Sequence, residues 1–242
     1  MPDFASVPEH FIPARIERID QVTPLIKVFL LRTDPLRFHS RAGQWLDLAI
    51  PQQGREPCVG GYSVVSAPSG DGLLQLAIKY ADHHPATYHL HTRARPGDEV
   101  FVTAGQGPFY FEPGMGREVV LLGAGIGVTP LVSILRLIHA EAPEVRAHLV
   151  YSVASRREVL FPEELAELSH APNIDVTLTV TRDAEDWLGH TGRISHRLLE
   201  SLNLPREALH YYCGSREFIE DMTELLREWG IPEAQLHYEK WW

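Results

Sequence analysis

Gly123, Gly125, Gly127, Thr129 and Pro130 follow directly on the apolar run Val119-Val120-Leu121-Leu122 and are the clearest candidates for binding chemistry in the chain. Such a run ending in glycines reads as a buried parallel strand that turns sharply into a helix. The glycines let the backbone turn and let a ligand come close, and Pro130 suits the first helical turn. The free N–H groups and positive dipole end of the helix over Leu131–Ile138 would then face an anion, so the chemistry is the binding of a pyrophosphate. Begun at Gly125 the stretch is a G-x-G-x-x-P variant; begun at Gly123, the more familiar G-x-G-x-x-G lacks its third glycine because Val128 stands there. A tight strand-to-helix turn with no ligand has the same spacing.

Further residues extend the same chemistry. Cys213-Gly214 closes a second strand-like run, and ligands bind at the carboxyl ends of strands in open α/β sheets. A buried free cysteine serving as core filler fits the position too. After the strand ending at Tyr151-Ser152, where an NAD-specific fold places an acidic residue, the chain offers Ser155, Arg156 and Arg157 instead. These suit an added phosphate, and they suit a solvated loop. His83, His84, His89 and His91 invite a metal reading, but only Asp82 joins them as a possible further ligand, and we assign no metal site.

The elements that must position these residues fall into two modules. Up to residue 112 the chain carries 10 Lys+Arg against 12 Asp+Glu, and from 113 onward 12 against 20. The first module alternates with a period of two: strands are expected at Arg15–Ile19, Leu25–Leu31, Gln44–Ile50, Gly61–Val65, Leu73–Tyr80 and Glu99–Val102, with one short helix near Ala86–Thr92. Six antiparallel strands with so many edges to protect predict a β-barrel over 8–112. The second module, 113–242, alternates strand and helix, which predicts a five-stranded parallel α/β sheet with strands near Val119–Gly123, Ala147–Ser152, Asp175–Thr181, Tyr211–Cys213 and Leu236–Glu239.

Composition narrows the partners. A net charge of −10 argues against nucleic acid and anionic membrane surfaces. No apolar stretch approaches the roughly 20 residues of a membrane span, and the N-terminal residues have neither signal-peptide nor transit-peptide character, so a cytoplasmic protein is expected. With Cys58 and Cys213 as its two cysteines, the chain cannot build a four-cysteine iron–sulfur or zinc site, and any such cluster must belong to a partner.

The order of a barrel, Gly60-Gly61-Tyr62-Ser63, Ala77-Ile78-Lys79-Tyr80, Gly125-x-Gly127-x-x-Pro130, Cys213-Gly214 and a terminal Glu239-Lys240-Trp241-Trp242 resembles the ferredoxin-NADP reductase superfamily, most of all the oxidoreductase NAD-binding domain-containing proteins. The resemblance runs from about Ile16 to the end. It implies an FAD-binding barrel followed by an NAD(P)-binding domain, with hydride passing from nicotinamide to flavin at their junction. Electrons then go to a redox protein of ferredoxin or flavodoxin type or to a small molecule. A flavin or quinone reductase with a diffusible acceptor and a non-catalytic nucleotide sensor remain alternatives.

Residue by residue, the resemblance puts Tyr62 against the isoalloxazine and Ser63 near flavin N5, with Ala77, Ile78 and Lys79 beside them. By themselves Tyr62 and Ser63 read first as an ordinary half-buried strand pair, and the downstream motifs turn the reading towards flavin. The family's Arg that pairs with a flavin phosphate is replaced by Gly60, a loss of roughly 1.5–3 kcal/mol of charge-assisted bonding that Lys79, Arg55 or a helix N-terminus must make good. His84-Pro85-Ala86-Thr87 stands where the family has G-x-x-S/T over the diphosphate; Thr87 conforms and His84 departs. These contacts lead us to expect an FAD held tightly enough to be isolated with the protein. Cys213 and Glu239 fall beside nicotinamide C4, Arg182 near the adenosine phosphate of NADP, with NAD the other candidate dinucleotide, and Trp241 or Trp242 against the flavin face.

Overall fold

A computed structural model describes residues 7–240, and the chain divides into two compact units, one ending at Tyr110 and the other beginning at Phe111. The first unit holds β1 (Ile12–Thr23), β2 (Ile26–Thr33), β3 (Trp45–Gln52), β4 (Arg55–Ser63), β5 (Leu73–Lys79), α1 (Pro85–Thr92) and β6 (Glu99–Val102). Its strands form one antiparallel sheet in the order β4-β3-β6-β1-β2-β5. A single bridge between Val64 and Leu76 brings its two ends together without a full closing ladder. Alternate residues of these strands, among them Ile16, Phe29, Leu31, Leu46, Leu48, Leu74, Leu76 and Ile78, meet in one core that Ala86 and Leu90 of α1 also join.

β4 begins well before the strand expected at Gly61. The segment Arg55–Val59 contains Pro57 and lacks an alternating apolar pattern, so it does not announce a strand. It pairs because Gln53 and Gly54 form a two-residue turn, with Gly54 at φ +64°, that zips it onto β3. Pro57 is tolerated because β4 ends the ladder and its missing N–H has no second strand to serve.

The second unit holds β7 (Glu118–Ala124), α2 (Val128–Glu141), β8 (Arg146–Val153), α3 (Pro162–Leu168), β9 (Ile174–Val180), β10 (His190–Thr191), α4 (His196–Ser201), β11 (Leu209–Cys213), α5 (Arg216–Glu228) and β12 (Leu236–His237). The strands are parallel in the order β10-β9-β8-β7-β11-β12. β7 is buried from Val119 to Gly123, as a strand covered on both faces must be. The sheet has one strand more than the five expected. β10 is only two residues long between Gly189 and Gly192, too short to carry a periodic signal, and it is fixed by Gly192 N–H to the Val180 carbonyl (2.8 Å) and Thr179 Oγ1 to the Gly192 carbonyl (2.7 Å). Among the described residues no helix is long and apolar enough to cross a membrane.

Candidate functional site

Strand order in the second unit reverses at β7: the chain proceeds to β8 on one side and returns as β11 on the other. Such a reversal opens a crevice at the carboxyl ends of the strands. Gly125, Ile126 and Gly127 form a single 3-10 turn there, Gly125 at φ +54°, and Val128 starts α2 with Thr129 Oγ1 donating to the Ile126 carbonyl at 2.9 Å. Pro130 lies in the first turn of α2, where its missing N–H costs nothing. A Cβ on Gly127 would stand 2.3 Å from the Cys213 carbonyl oxygen and 2.6 Å from Gly214 Cα, so only glycine lets this turn close against the end of β11. A Cβ on Gly123 would reach Leu131 at 3.0 Å, which explains the glycine where strand and helix pack.

Cys213 pairs with Gly123 across the β11–β7 ladder and is buried. Burial first, and then the Glu239 carboxylate, push its thiol up to about 12. It is therefore a neutral S–H at ordinary pH, suited to packing or weak donation and unsuited to nucleophilic attack. The segment bearing Glu239 is fastened by stacking: His237 lies on Tyr211 (ring centroids 4.5 Å apart) and Tyr238 on Tyr212 (4.9 Å). Trp241 and Trp242 lie outside the described residues.

Two cavities adjoin this edge. One of about 170 Å³ is walled by Ala124, Ser152, Thr181, Ser215 and Phe218 and flanked by Arg193, which binds Glu217 at 2.9 Å and Asp221 at 3.2 Å. Another of about 670 Å³ has Ser155, Arg156 and Arg157 in its wall. Arg182 is not part of that wall, although its amide donates to the Ala154 carbonyl at 2.9 Å. The same wall carries Asp183, Glu185, Asp186 and Trp187, residues that sequence reasoning passed over because nothing in an aperiodic loop shows which strand end it will face.

In the first unit, α1 and β4 bring Tyr62 and Thr87 together. The Tyr62 hydroxyl lies 3.0 Å from Thr87 Oγ1, and Thr87 Oγ1 lies 3.3 Å from His84 Nδ1. His84 is the N-cap of α1: its Nδ1 accepts from the Thr87 amide at 3.4 Å. Burial raises the Tyr62 phenol above its ordinary range and keeps it a donor. Ser63 is half-buried and, among the described residues, its hydroxyl has no partner, leaving it available to a ligand. Ala77 and Ile78 are buried while Lys79 is exposed; His91 Nε2 meets the Ile78 carbonyl at 2.8 Å and holds α1 to β5.

Gly60 is the informative departure. A Cβ there would lie 2.5 Å from the Tyr62 hydroxyl oxygen and 2.8 Å from its ring carbon, so the tyrosine has folded back over the position where an arginine would begin. This face of β4 therefore offers no cation at Gly60. The four histidines near α1 gather no metal set: among the described residues no group of three or more His, Cys, Asp or Glu could hold an ion.

The Oxidoreductase NAD-binding domain family model matches residues 121–224. A zebrafish (Danio rerio) oxidoreductase NAD-binding domain-containing protein 1 is 33% identical over 95% of this chain and 91% of its own length. A ferredoxin–NADP reductase B from Sorangium cellulosum is 27% identical over 94% and 96%. Among solved structures, a ferredoxin NADP+ reductase from Neisseria gonorrhoeae with bound FAD and NADP matches at a TM-score of 0.78, 24% identity, and 96% and 99% coverage.

Proposed function

Because the chain belongs to the ferredoxin-NADP reductase superfamily and within it to the oxidoreductase NAD-binding domain-containing proteins, we propose that it is an NAD(P)H-dependent oxidoreductase that uses a flavin, with FAD the form its kin suggest. The observation that carries the reading is the closure of Gly127 against the Cys213 carbonyl, which seats a glycine turn and the start of α2 at the strand-order reversal. Backbone amides there would hold the dinucleotide's pyrophosphate, and the helix dipole favours its charge.

A bound flavin supplies a ring that takes a hydride equivalent from nicotinamide and passes electrons on. The chain's own contribution is orientation. Ser63, whose hydroxyl has no partner among the described residues, would offer it beside Tyr62, and Tyr62 is kept in place by Thr87. Cys213, held as a thiol, packs at the end of β11 without competing as a base or nucleophile, while Glu239 supplies the nearby carboxylate that would meet the carboxamide end of the nicotinamide. Ser155 and Arg156 border a cavity suited to the adenosine end of the dinucleotide.

The deciding experiment mixes the whole protein with NADH or NADPH and a saturating flavin without oxygen and follows loss of the flavin's visible absorbance. Bleaching with either nucleotide is expected. Absence of bleaching with both, in a folded preparation, would overturn the assignment.

A further inference from the structure

We infer that the flavin is an exchanging substrate held through its isoalloxazine and ribityl portion, so that riboflavin, FMN and FAD are accepted nearly alike and leave once reduced. The inference rests on the proposed function and concerns the same surface. FAD differs from riboflavin by a diphosphate and an adenosine, and a protein that keeps FAD must satisfy that doubly charged diphosphate. Helix N-terminal amides and a nearby cation are the usual means.

In the first unit α1 is the one helix among the described residues, and its N-terminus has been used internally. Pro85 occupies the first position and has no N–H. The Thr87 amide is taken by His84 Nδ1, and the Thr87 hydroxyl is shared between His84 and Tyr62. Among the described residues, Ala86 alone of the first three helical positions keeps an uncommitted amide.

The strand side offers no compensation. Gly60 has no side chain, and the Tyr62 ring fills the space above it. Arg55 lies five residues back along β4, about 16 Å at the usual strand rise. Lys79 alternates with Ile78, whose side chain is in the core that Ala86 and Leu90 of α1 join, so the ammonium leaves β5 from the opposite face. The groups that would meet the ring are in a different condition: Tyr62 is fixed, and among the described residues the Ser63 hydroxyl has no partner.

The reaction balances without a further participant. The C4–H bond of NAD(P)H breaks and an N–H bond forms at flavin N5, two electrons moving with the hydride. Solvent supplies one proton at N1, and oxidised nucleotide and dihydroflavin depart.

Equilibrium dialysis of the whole protein against riboflavin, FMN and FAD tests this independently of turnover. The three dissociation constants should fall within about threefold of one another, whereas even one charge-assisted contact to the diphosphate would favour FAD by roughly tenfold or more. FAD that survives gel filtration, or binds thirtyfold more tightly than riboflavin, would overturn the inference while leaving the oxidoreductase assignment standing if it is bleached by NAD(P)H. The double change His84→Gly with Pro85→Ala uncaps the helix and restores an amide. It should tighten FAD by about tenfold with riboflavin unchanged; equal affinities for FAD in the variant and the parent would overturn the role given to the cap. Failure of all three flavins to bind would sink both readings.

Discussion

Cys213 and Gly60 show how one residue's surroundings decide what its type can do. Sequence marks Cys213 as a cysteine at a strand end, which suits a place beside a bound ligand as well as an inert filler. Burial and Glu239 hold it as a thiol with its pKa pushed up to about 12, so alkylating reagents that need the thiolate should label it negligibly in the native protein near pH 8, and readily after denaturation. Cys213→Ala should slow flavin bleaching by about tenfold or more at saturating NAD(P)H, since small displacements of a reacting centre are costly, while changing nucleotide affinity little. Stopped-flow measurement of both quantities checks this, and an unaltered bleaching rate would return the residue to packing. Gly60→Arg looks from the sequence like restoration of a lost cation. With Tyr62 lying 2.5 Å from the position of its Cβ, the larger side chain must expel the tyrosine ring from Thr87. The expected result is a loss of about 1–3 kcal/mol in urea unfolding, the usual cost of overpacking, together with weaker flavin binding.

At the scale of elements, the turn between β7 and α2 holds two glycines that look interchangeable in the sequence and are not. Gly125 sits in open space at φ +54°, so Gly125→Ala meets only backbone strain, on the order of 1 kcal/mol. Gly127 has no unusual φ but faces the Cys213 carbonyl at 2.3 Å. Gly127→Ala must therefore push α2 away from β11, and the binding of ADP, which carries the dinucleotide's diphosphate but not its nicotinamide, should weaken by tenfold or more, since misplaced amides lose charge-assisted bonds. Calorimetric titration of the two variants should rank them in that order; the reverse order would show that the turn's conformation, and not its contact with β11, governs binding. The same distinction explains β4 and β10, whose pairing comes from a two-residue turn and from flanking glycines and not from any alternating pattern of their own.

For the molecule as a whole, acid is the informative stress. Burial lowers the pKa of His89 and His91 in the first unit and of His148, His210 and His237 in the second. His210 is pushed down to about 4 by burial, with the Ala208 carbonyl accepting from its Nδ1 at 2.8 Å and, among the described residues, Nε2 buried without a partner. The unfolded chain takes up protons on these groups near the ordinary value of about 6.5 while the native protein does not. Stability from this source is complete above that value and is lost as pH falls from about 6.5 towards 4. His210 alone contributes on the order of 3 kcal/mol, and the melting temperature should drop by roughly 6–12 °C between about pH 7.5 and 4.5. Scanning calorimetry of the wild type and of His210→Gln checks it: the variant should melt lower at neutral pH and show a shallower decline in acid. A parallel decline in both proteins would assign the acid sensitivity elsewhere.

The two modules, the antiparallel and parallel sheets, the glycine turn after Leu122 and the strand end at Cys213 were legible in the chain, because each depends on local periodicity or on residues adjacent to one another. It also contained the two departures that matter, Gly60 and His84, as departures without a meaning. What they do depended on contacts between residues far apart in sequence. Tyr62 reaches Thr87 across 25 positions, Gly127 meets Cys213 across 86, and the wall of Ser155 and Arg156 gains Asp183, Glu185 and Asp186 from a loop beyond the next strand. Only the tertiary structure could decide whether a helix terminus is open to a ligand or already satisfied by its own chain. A hydrogen-bond donor is spent by whichever acceptor the fold brings to it, and residue type carries no record of that.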